Sequence, residues 1–202
     1  MKKMRIYFDT EFTGLHKDTT LISIGMVAEN GKMFYAELDD YDRSQCDDWI
    51  NEYVISELLH DKPEIWESGI ADVIVYGNKF EVGCKLRDWL QQFDAVQFVS
   101  DVCHYDMVLL IDLLGKTAFD LPNNVSAVCY DINQDIADYY QISCREAFDK
   151  SREEIVKSIY GENSLPNMNK HNALYDAIVI QMISKALKYR WTTPEDYRNN
   201  TK

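Results

Sequence analysis

Near the start of the chain, the β-branched and aromatic run Arg5-Ile6-Tyr7-Phe8-Asp9-Thr10-Glu11-Phe12 carries two carboxylates two positions apart. Such a run predicts a strand, and the period of two along a strand turns Asp9 and Glu11 to the same face. Nothing basic alternates with them, and paired acids on one face repel. Either that edge is solvated, or a hard divalent cation with oxygen ligands neutralises the pair.

The rest of the chain supplies a sheet for that strand. Leu21–Ala28 predicts a second strand of buried character, and Asn30-Gly31, the strongest short hairpin signal, leads into a third over Lys32–Glu37. Glu37 to Asp48 holds six acids and one Arg without the spacing of a calcium loop, which predicts a solvated loop. Residues 48–60 and 79–93 predict helices, the second with Phe80, Leu86, Trp89, Leu90 and Phe93 at helical spacing. A fourth strand over Ala95–Ser100 leads through Cys103-His104-Tyr105 into an apolar helix from Asp106 to Leu114, ended by Gly115. Val125–Tyr130 predicts a fifth strand, and helices are expected near 132–140, 145–160 and, after a polar loop, 171–190. A block of strands followed by alternating strands and helices describes an α/β domain, a mixed sheet of about five strands flanked by helices. No repeat or linker divides the 202 residues, and 46% hydrophobic content fills one substantial core, so a single domain over 1–202 is expected.

Charge and cysteine usage exclude several functions. With 21 Lys and Arg against 34 Asp and Glu, the net charge is −13, so phosphate backbones cannot be held by bulk positive charge; a nucleic-acid ligand needs metal ions or a local basic patch. Cys46, Cys84, Cys103, Cys129 and Cys144 are odd in number and scattered, which predicts free thiols in a reducing cytoplasm rather than a zinc site or disulfides. No apolar run approaches a membrane span and no signal-peptide pattern opens the chain, so a cytoplasmic protein without membrane contact is expected.

Two further elements carry chemistry. Asp106 opens the apolar helix behind a buried strand, a position that also suits an acid at a helix N-terminus. In His171-Asn172-Ala173-Leu174-Tyr175-Asp176-Ala177 an imidazole and a carboxylate flank small residues; Ala173 and Ala177 allow the last helix close to the sheet, and the pair suits a proton acceptor beside a metal ligand.

Taken together and in this order, Phe8-Asp9-Thr10-Glu11-Phe12-Thr13-Gly14-Leu15, Tyr105-Asp106-Met107-Val108-Leu109-Leu110 and His171 to Ala177 resemble the three motifs of the DEDD 3′→5′ exonuclease superfamily. The subtype is the one with histidine in its third motif, the RNase T or DnaQ-like group. Phe12, the Ile22-Ser23-Ile24-Gly25 run and the Tyr105-Asp106 pair resemble, more narrowly, small stand-alone 3′→5′ exoribonucleases described from mycobacteria. Many relatives carry His-Asn four and three positions before the second-motif Asp, where this chain has Val102 and Cys103, and Asp101 is a competing candidate for that ligand.

The resemblance implies an RNase H-like fold and two Mg²⁺ or Mn²⁺ ions on Asp9, Glu11, Asp106 and Asp176. Asp9 would bridge, Glu11 and Asp176 would hold the ion beside the attacking water, and Asp106 the other. His171 would take the water's proton, and Phe12, Thr13, Gly14 and Leu15 would meet the terminal base and sugar. The implied substrate is single-stranded nucleic acid, RNA by the narrower resemblance, and the implied product a nucleoside 5′-monophosphate. A single-stranded DNA exonuclease and a silent nucleic-acid-binding module are the alternatives. Lys185, Lys188 and Arg190 either guide the upstream strand or form a solvated face. Several relatives are homodimers, and Trp49, Trp66 and Trp89 are candidates for a partner surface or for the core.

Overall fold

The computed structural model describes residues 3–66 and 68–189; Arg190 lies outside the described residues. Strands β1 (Met4–Phe12), β2 (Leu21–Ala28), β3 (Met33–Leu38), β4 (Val73–Gly77), β5 (Val96–Ser100) and β6 (Val125–Asp131) form one sheet in the order β4-β3-β2-β1-β5-β6. β2 is antiparallel to β1 and β3, while the β3–β4, β1–β5 and β5–β6 pairs are parallel. The opening meander follows the sequence pattern. β4 is a strand beyond the five expected: it lies at the sheet's edge with four of its five residues partly or fully exposed, and the short run Val73-Ile74-Val75-Tyr76 is the signal for it.

Among the described residues eight α-helices surround the sheet: α1 (Asp48–Tyr53), α2 (Pro63–Trp66), α3 (Lys79–Leu90), α4 (Cys103–Leu114), α5 (Ile132–Tyr140), α6 (Cys144–Phe148), α7 (Arg152–Tyr160) and α8 (Ala173–Tyr189). Side chains alternate across β1. Ile6 and Phe8 point to the layer of α3 and α4, where they meet Phe98, Leu86, Trp89 and Leu110; Tyr7 points to the opposite layer of α5, α7 and α8 with Ile132, Ile155 and Ile183. Burying each such large apolar side chain contributes about 1.5–3 kcal/mol.

Three boundaries and one loop differ from the sequence pattern. The helix expected over 48–60 stops at Tyr53 and gives way to a 3₁₀ turn, Ile55–Glu57. The one expected over 145–160 is two helices. Ser143 and Glu146 form a capping box at α6, and Ser151 Oγ accepts from Glu154 N to start α7 afresh. α4 begins at Cys103, so Asp106 lies within its first turn rather than at its start. The acidic stretch after β3 is solvated only in part. Glu37 is fully buried, Asp42 and Asp47 cap the following turns, and Asp40 accepts from Lys79 N at 3.1 Å.

Gly25 sits opposite Asp9 in the β1–β2 register. A Cβ there would fall 2.3 Å from backbone atoms of Ala173 and Leu174, so glycine is what lets the start of α8 rest on the sheet. All five cysteines are free thiols. Among the described residues no helix is long and apolar enough to cross a membrane. Trp89 is core, packed on Phe34 and Phe93, Trp66 meets Tyr35 edge-on, and Trp49 is half exposed.

Candidate active site

β1 carries Asp9 and Glu11 to its C-terminal end on the face that α8 covers, and α8 brings Asp176 down on them from its first turn. From the neighbouring strand, the end of β5 leads through Asp101 into α4, whose fully buried Asp106 completes the group. One ligand atom each from Asp9, Asp101 and Asp106 lies within 4.8 Å of the others, and so do atoms from Glu11, His171 and Asp176. The structure thus brings together every acid singled out in the sequence, with Asp101 and Asp106 both beside Asp9.

Burial dominates the electrostatics. It pushes the Asp9 carboxyl well above the usual carboxylate range, with the charges of Asp106, Glu11, Asp176 and Asp101 adding to the effect. Glu11 is raised well above its usual value by burial and by Asp176, Asp106 and Asp101, with Lys170 opposing. Asp176 is raised to about 8, by burial first and then by Asp101 and Glu153, against the N–H of His171. Asp106 rises to about 7 through burial, although hydrogen bonds from Ser100 and Thr10 hold it down. Thr10 Oγ1 donates to Asp106 Oδ1 at 2.5 Å and Ser100 Oγ to Oδ2. These two hydroxyls escaped the motif reading; the available signal was their position, a polar residue between two acids and one ending a buried strand.

Asp101 is held differently. Arg152 Nε donates to its Oδ2 at 2.9 Å, while Nη1 donates to the carbonyls of Ala147 and Lys150 and Nη2 to Asn133 Oδ1. Every nitrogen of this guanidinium is engaged, so Arg152 lines the cleft and fixes Asp101 there.

His171 precedes α8 in a left-handed conformation, φ 63°, which is strained for a non-glycine residue. Its backbone N–H donates to Asp176 Oδ2 at 2.9 Å, and its ring meets Trp49 edge-on with centroids 5.1 Å apart. Asn172 holds this turn: Oδ1 accepts from Leu174 N and Tyr175 N, capping α8, and Nδ2 donates to Tyr35 OH at 3.0 Å and to the Glu57 carbonyl. Tyr35 OH in turn donates to buried Glu37, which also accepts from Leu59 N and His60 N and lies 2.6 Å from His60 Nδ1. No motif pointed to this network, because its members are far apart in the chain. Burial first, and then the Lys170 charge, holds the His171 imidazole below its usual pKa.

The acids floor a cleft of about 700 Å³. Phe12, Gly14 and Leu15 form one wall and Trp49, Ile50 and Val54 another. Leu15 is 75% exposed, and Phe12 stacks on Tyr105 with centroids 5.4 Å apart. Thr13 is turned away from the cleft: buried, it hydrogen-bonds Gln45 Oε1 at 2.5 Å and the Thr20 backbone N–H at 2.9 Å, pinning the loop that carries Gly14 and Leu15. The basic end of α8 lies away from the acids: Lys185 is nine residues past Asp176, about 14 Å along the axis, and bonds Gln181. The cations on the cleft are Lys150, Arg152 and Lys170.

The donor set tests what the cleft can hold. It offers carboxylate oxygens and one imidazole with no thiolate, which suits hard divalent cations such as Mg²⁺ or Mn²⁺ and not a structural zinc. Buried acids with raised pKa values are what a cation would relieve.

Comparison with known proteins agrees with this geometry. A family model described as the 3′-5′ exoribonuclease Rv2179c-like domain matches residues 4–188. The 3′-5′ exoribonucleases Rv2179c and MT2234.1 of two Mycobacterium tuberculosis strains are each 29% identical over 114 residues, 55% of this chain. The matched stretch spans 62% of each relative's length, just under two thirds. Among solved structures, one described as 3′-end specific recognition of histone mRNA stem-loop by 3′-exonuclease superposes with TM-score 0.62 at 12% identity, covering 93% of this chain and 64% of that one. A full-length 3′-exonuclease superposes with TM-score 0.59, again at 12% identity, covering 90% and 80%. At that identity the likeness concerns the fold, which is RNase H-like.

Proposed function

The chain belongs to the Rv2179c-like 3′-5′ exoribonuclease domain family, and from that premise we propose that it hydrolyses single-stranded RNA from the 3′ end to nucleoside 5′-monophosphates in the cytoplasm. The observation that carries the reading is the convergence of Asp9, Glu11 and Asp176 beside His171 on the floor of one cleft, with buried Asp106 directly behind Asp9. A module that only bound nucleic acid would gain nothing from so much mutual repulsion, whereas a phosphodiesterase needs it to concentrate cations.

Two Mg²⁺ or Mn²⁺ ions are the occupancy that two ligand groups favour. Bound there, such ions activate a water and stabilise the charge that develops on the phosphodiester and its leaving 3′ oxygen. Asp9, at the centre of the acids, would be shared; Glu11 and Asp176 would serve the water's side and Asp106 the other, with Asp101 held next to it by Arg152.

His171 is the proton acceptor. With its pKa held below the usual histidine range it is neutral at pH 7, so a ring nitrogen is free to take the proton of the attacking water. The left-handed backbone and the bond to Asp176 fix the imidazole beside that carboxylate. Leu15 and Phe12 on one wall and Trp49 on the other offer apolar faces to the terminal base, with Gly14 lining the cleft between them and the sugar. Thr13 contributes by fixing that loop.

The test is digestion of 5′-labelled single-stranded RNA and DNA of equal sequence with Mn²⁺. A ladder shortening from the 3′ end on RNA is expected. Asp9→Ala removes ion-binding worth several kcal/mol at the transition state and lowers turnover by roughly 10³-fold or more. EDTA abolishes hydrolysis and Mn²⁺ or Mg²⁺ restores it; chelator-resistant activity would sink the metal scheme. A ladder on DNA alone makes the chain a DNA exonuclease.

A further inference from the structure

The wall formed by Phe12 and Tyr105 has a second side. Gly14 and Leu15 line the cleft, while His16 and Lys17, next in the chain, line a neighbouring groove of about 750 Å³. Across from them, Val102 lines the cleft while His104 and Tyr105 line the groove. Two chain segments therefore run side by side from one hollow into the next, over a ridge made of the stacked Phe12 and Tyr105 rings and exposed Leu15.

The groove differs from the cleft in chemistry. Tyr105 and the exposed side chain of Val108 give it an aromatic and apolar floor, and His16, Lys17, His104 and Lys116 stand exposed on its rim. Its acids oppose Lys17 and Lys116 weakly. Asp18 meets Lys17 in a contact whose side chains are 70% and 88% exposed, so solvent screens it, and Asp112 is already held by Lys79 at 2.5 Å. On a chain of net charge −13 the groove sets two lysines against two aspartates, a locally balanced patch in an otherwise acidic surface. A stacking floor with a cationic rim is how proteins hold a single strand without reading its sequence: base faces lie on the rings and phosphates meet the cations.

We infer that this groove binds the single-stranded RNA segment upstream of the 3′-terminal nucleotide, the strand crossing the Leu15 ridge on its way into the cleft. The inference rests on the cleft being where the 3′ end is hydrolysed. Continuity of the two hollows, with the aromatic floor at Tyr105 and Lys17 and Lys116 placed to meet phosphates, identifies the occupant, and the groove makes substrate length part of specificity.

The experiment compares the wild type with the Lys17→Glu/Lys116→Glu variant on RNA of two and eight nucleotides, and measures octamer binding by anisotropy in EDTA. The octamer-to-dinucleotide ratio of kcat/KM is expected to fall about tenfold in the variant. The salt slope of log affinity shrinks by about 1.4, two phosphates at about 0.7 each. Equal octamer affinity in the two proteins, or a wild type indifferent to length, overturns the groove. If neither length is cleaved while octamer affinity still depends on the lysines, the catalytic reading falls and the groove stands.

Discussion

The two halves of the acid cluster are held by opposite means. Around Asp9 and Asp106 every support is short and stiff: a central strand, the first turn of α4, and the hydroxyls of Thr10 and Ser100 on the two oxygens of Asp106. Around Asp176 and His171 the support is remote. It consists of a left-handed residue, a helix start resting on Gly25, and hydrogen bonds from Asn172 to Tyr35 across 137 residues of chain. The ladder of β1 resists displacement cooperatively, whereas each distant contact under α8 is a separate point of failure. The half that carries His171 is therefore the more easily lost.

Gly25→Ala strikes that contrast hardest. The added methyl collides with the backbone at Ala173 and lifts the start of α8, so His171 and Asp176 move while Asp9 and Asp106 stay. Turnover in single-turnover hydrolysis should fall roughly 10²-fold, with about 1–3 kcal/mol lost in thermal unfolding from overpacking. Activity within a fewfold of wild type would mean that α8 does not depend on this contact.

Tyr35→Phe sharpens the comparison with a smaller effect. Asn172 Nδ2 and Glu37 each lose a partner while the cleft walls are untouched, so kcat should fall about tenfold with KM near wild type, roughly 1.4 kcal/mol at the transition state. Leaving those buried groups short of a partner costs about 1–3 kcal/mol of stability. An equal kcat loss in Ser100→Ala would erase the distinction between the two halves.

The mildest test reads both halves together through pH. In the metal-free protein the folded carboxyls of Asp106 and Asp176 titrate at about 7 and about 8, above the ordinary 3.8 of the unfolded chain. The folded state thus binds protons that the unfolded state has released, so the contribution of these two groups to stability is full below about pH 4 and is lost as pH rises through 7 and 8. Thermal unfolding in EDTA should show this decline, at about 2–4 °C per kcal/mol for a chain of this length, and Mn²⁺ should remove it at pH 8. A profile flat in EDTA from pH 4 to 8 contradicts the mutual repulsion of the acids.

The same contrast explains what could be read from the chain alone. Asp9 and Glu11 were legible because a strand's period of two fixes their direction without any partner. Ala173 and Ala177 pointed to a helix lying close to the sheet, and Gly25 is the residue beneath it. The Asn172–Tyr35–Glu37 chain was hidden, since hydrogen bonds between distant residues leave no periodic trace, and Glu37 read as part of a solvated loop. The sequence offers Asp101 as an alternative to Asp106, whereas the fold sets both beside Asp9. The break between α6 and α7 had a signal in Ser151, but the apolar spacing on either side masked it.

Arg152 closes the junction between α6 and α7 by donating to the carbonyls of Ala147 and Lys150, and the same side chain balances the charge of Asp101, 51 residues earlier. Local unfolding of residues 144–160 would strip Asp101 of its counter-charge beside other carboxylates. The free energy of that excursion therefore contains an electrostatic cost set in the cleft. Helix junction and acid cluster form one cooperative unit, and amide exchange across 144–160 reports on the charge state of a site built mostly from other segments.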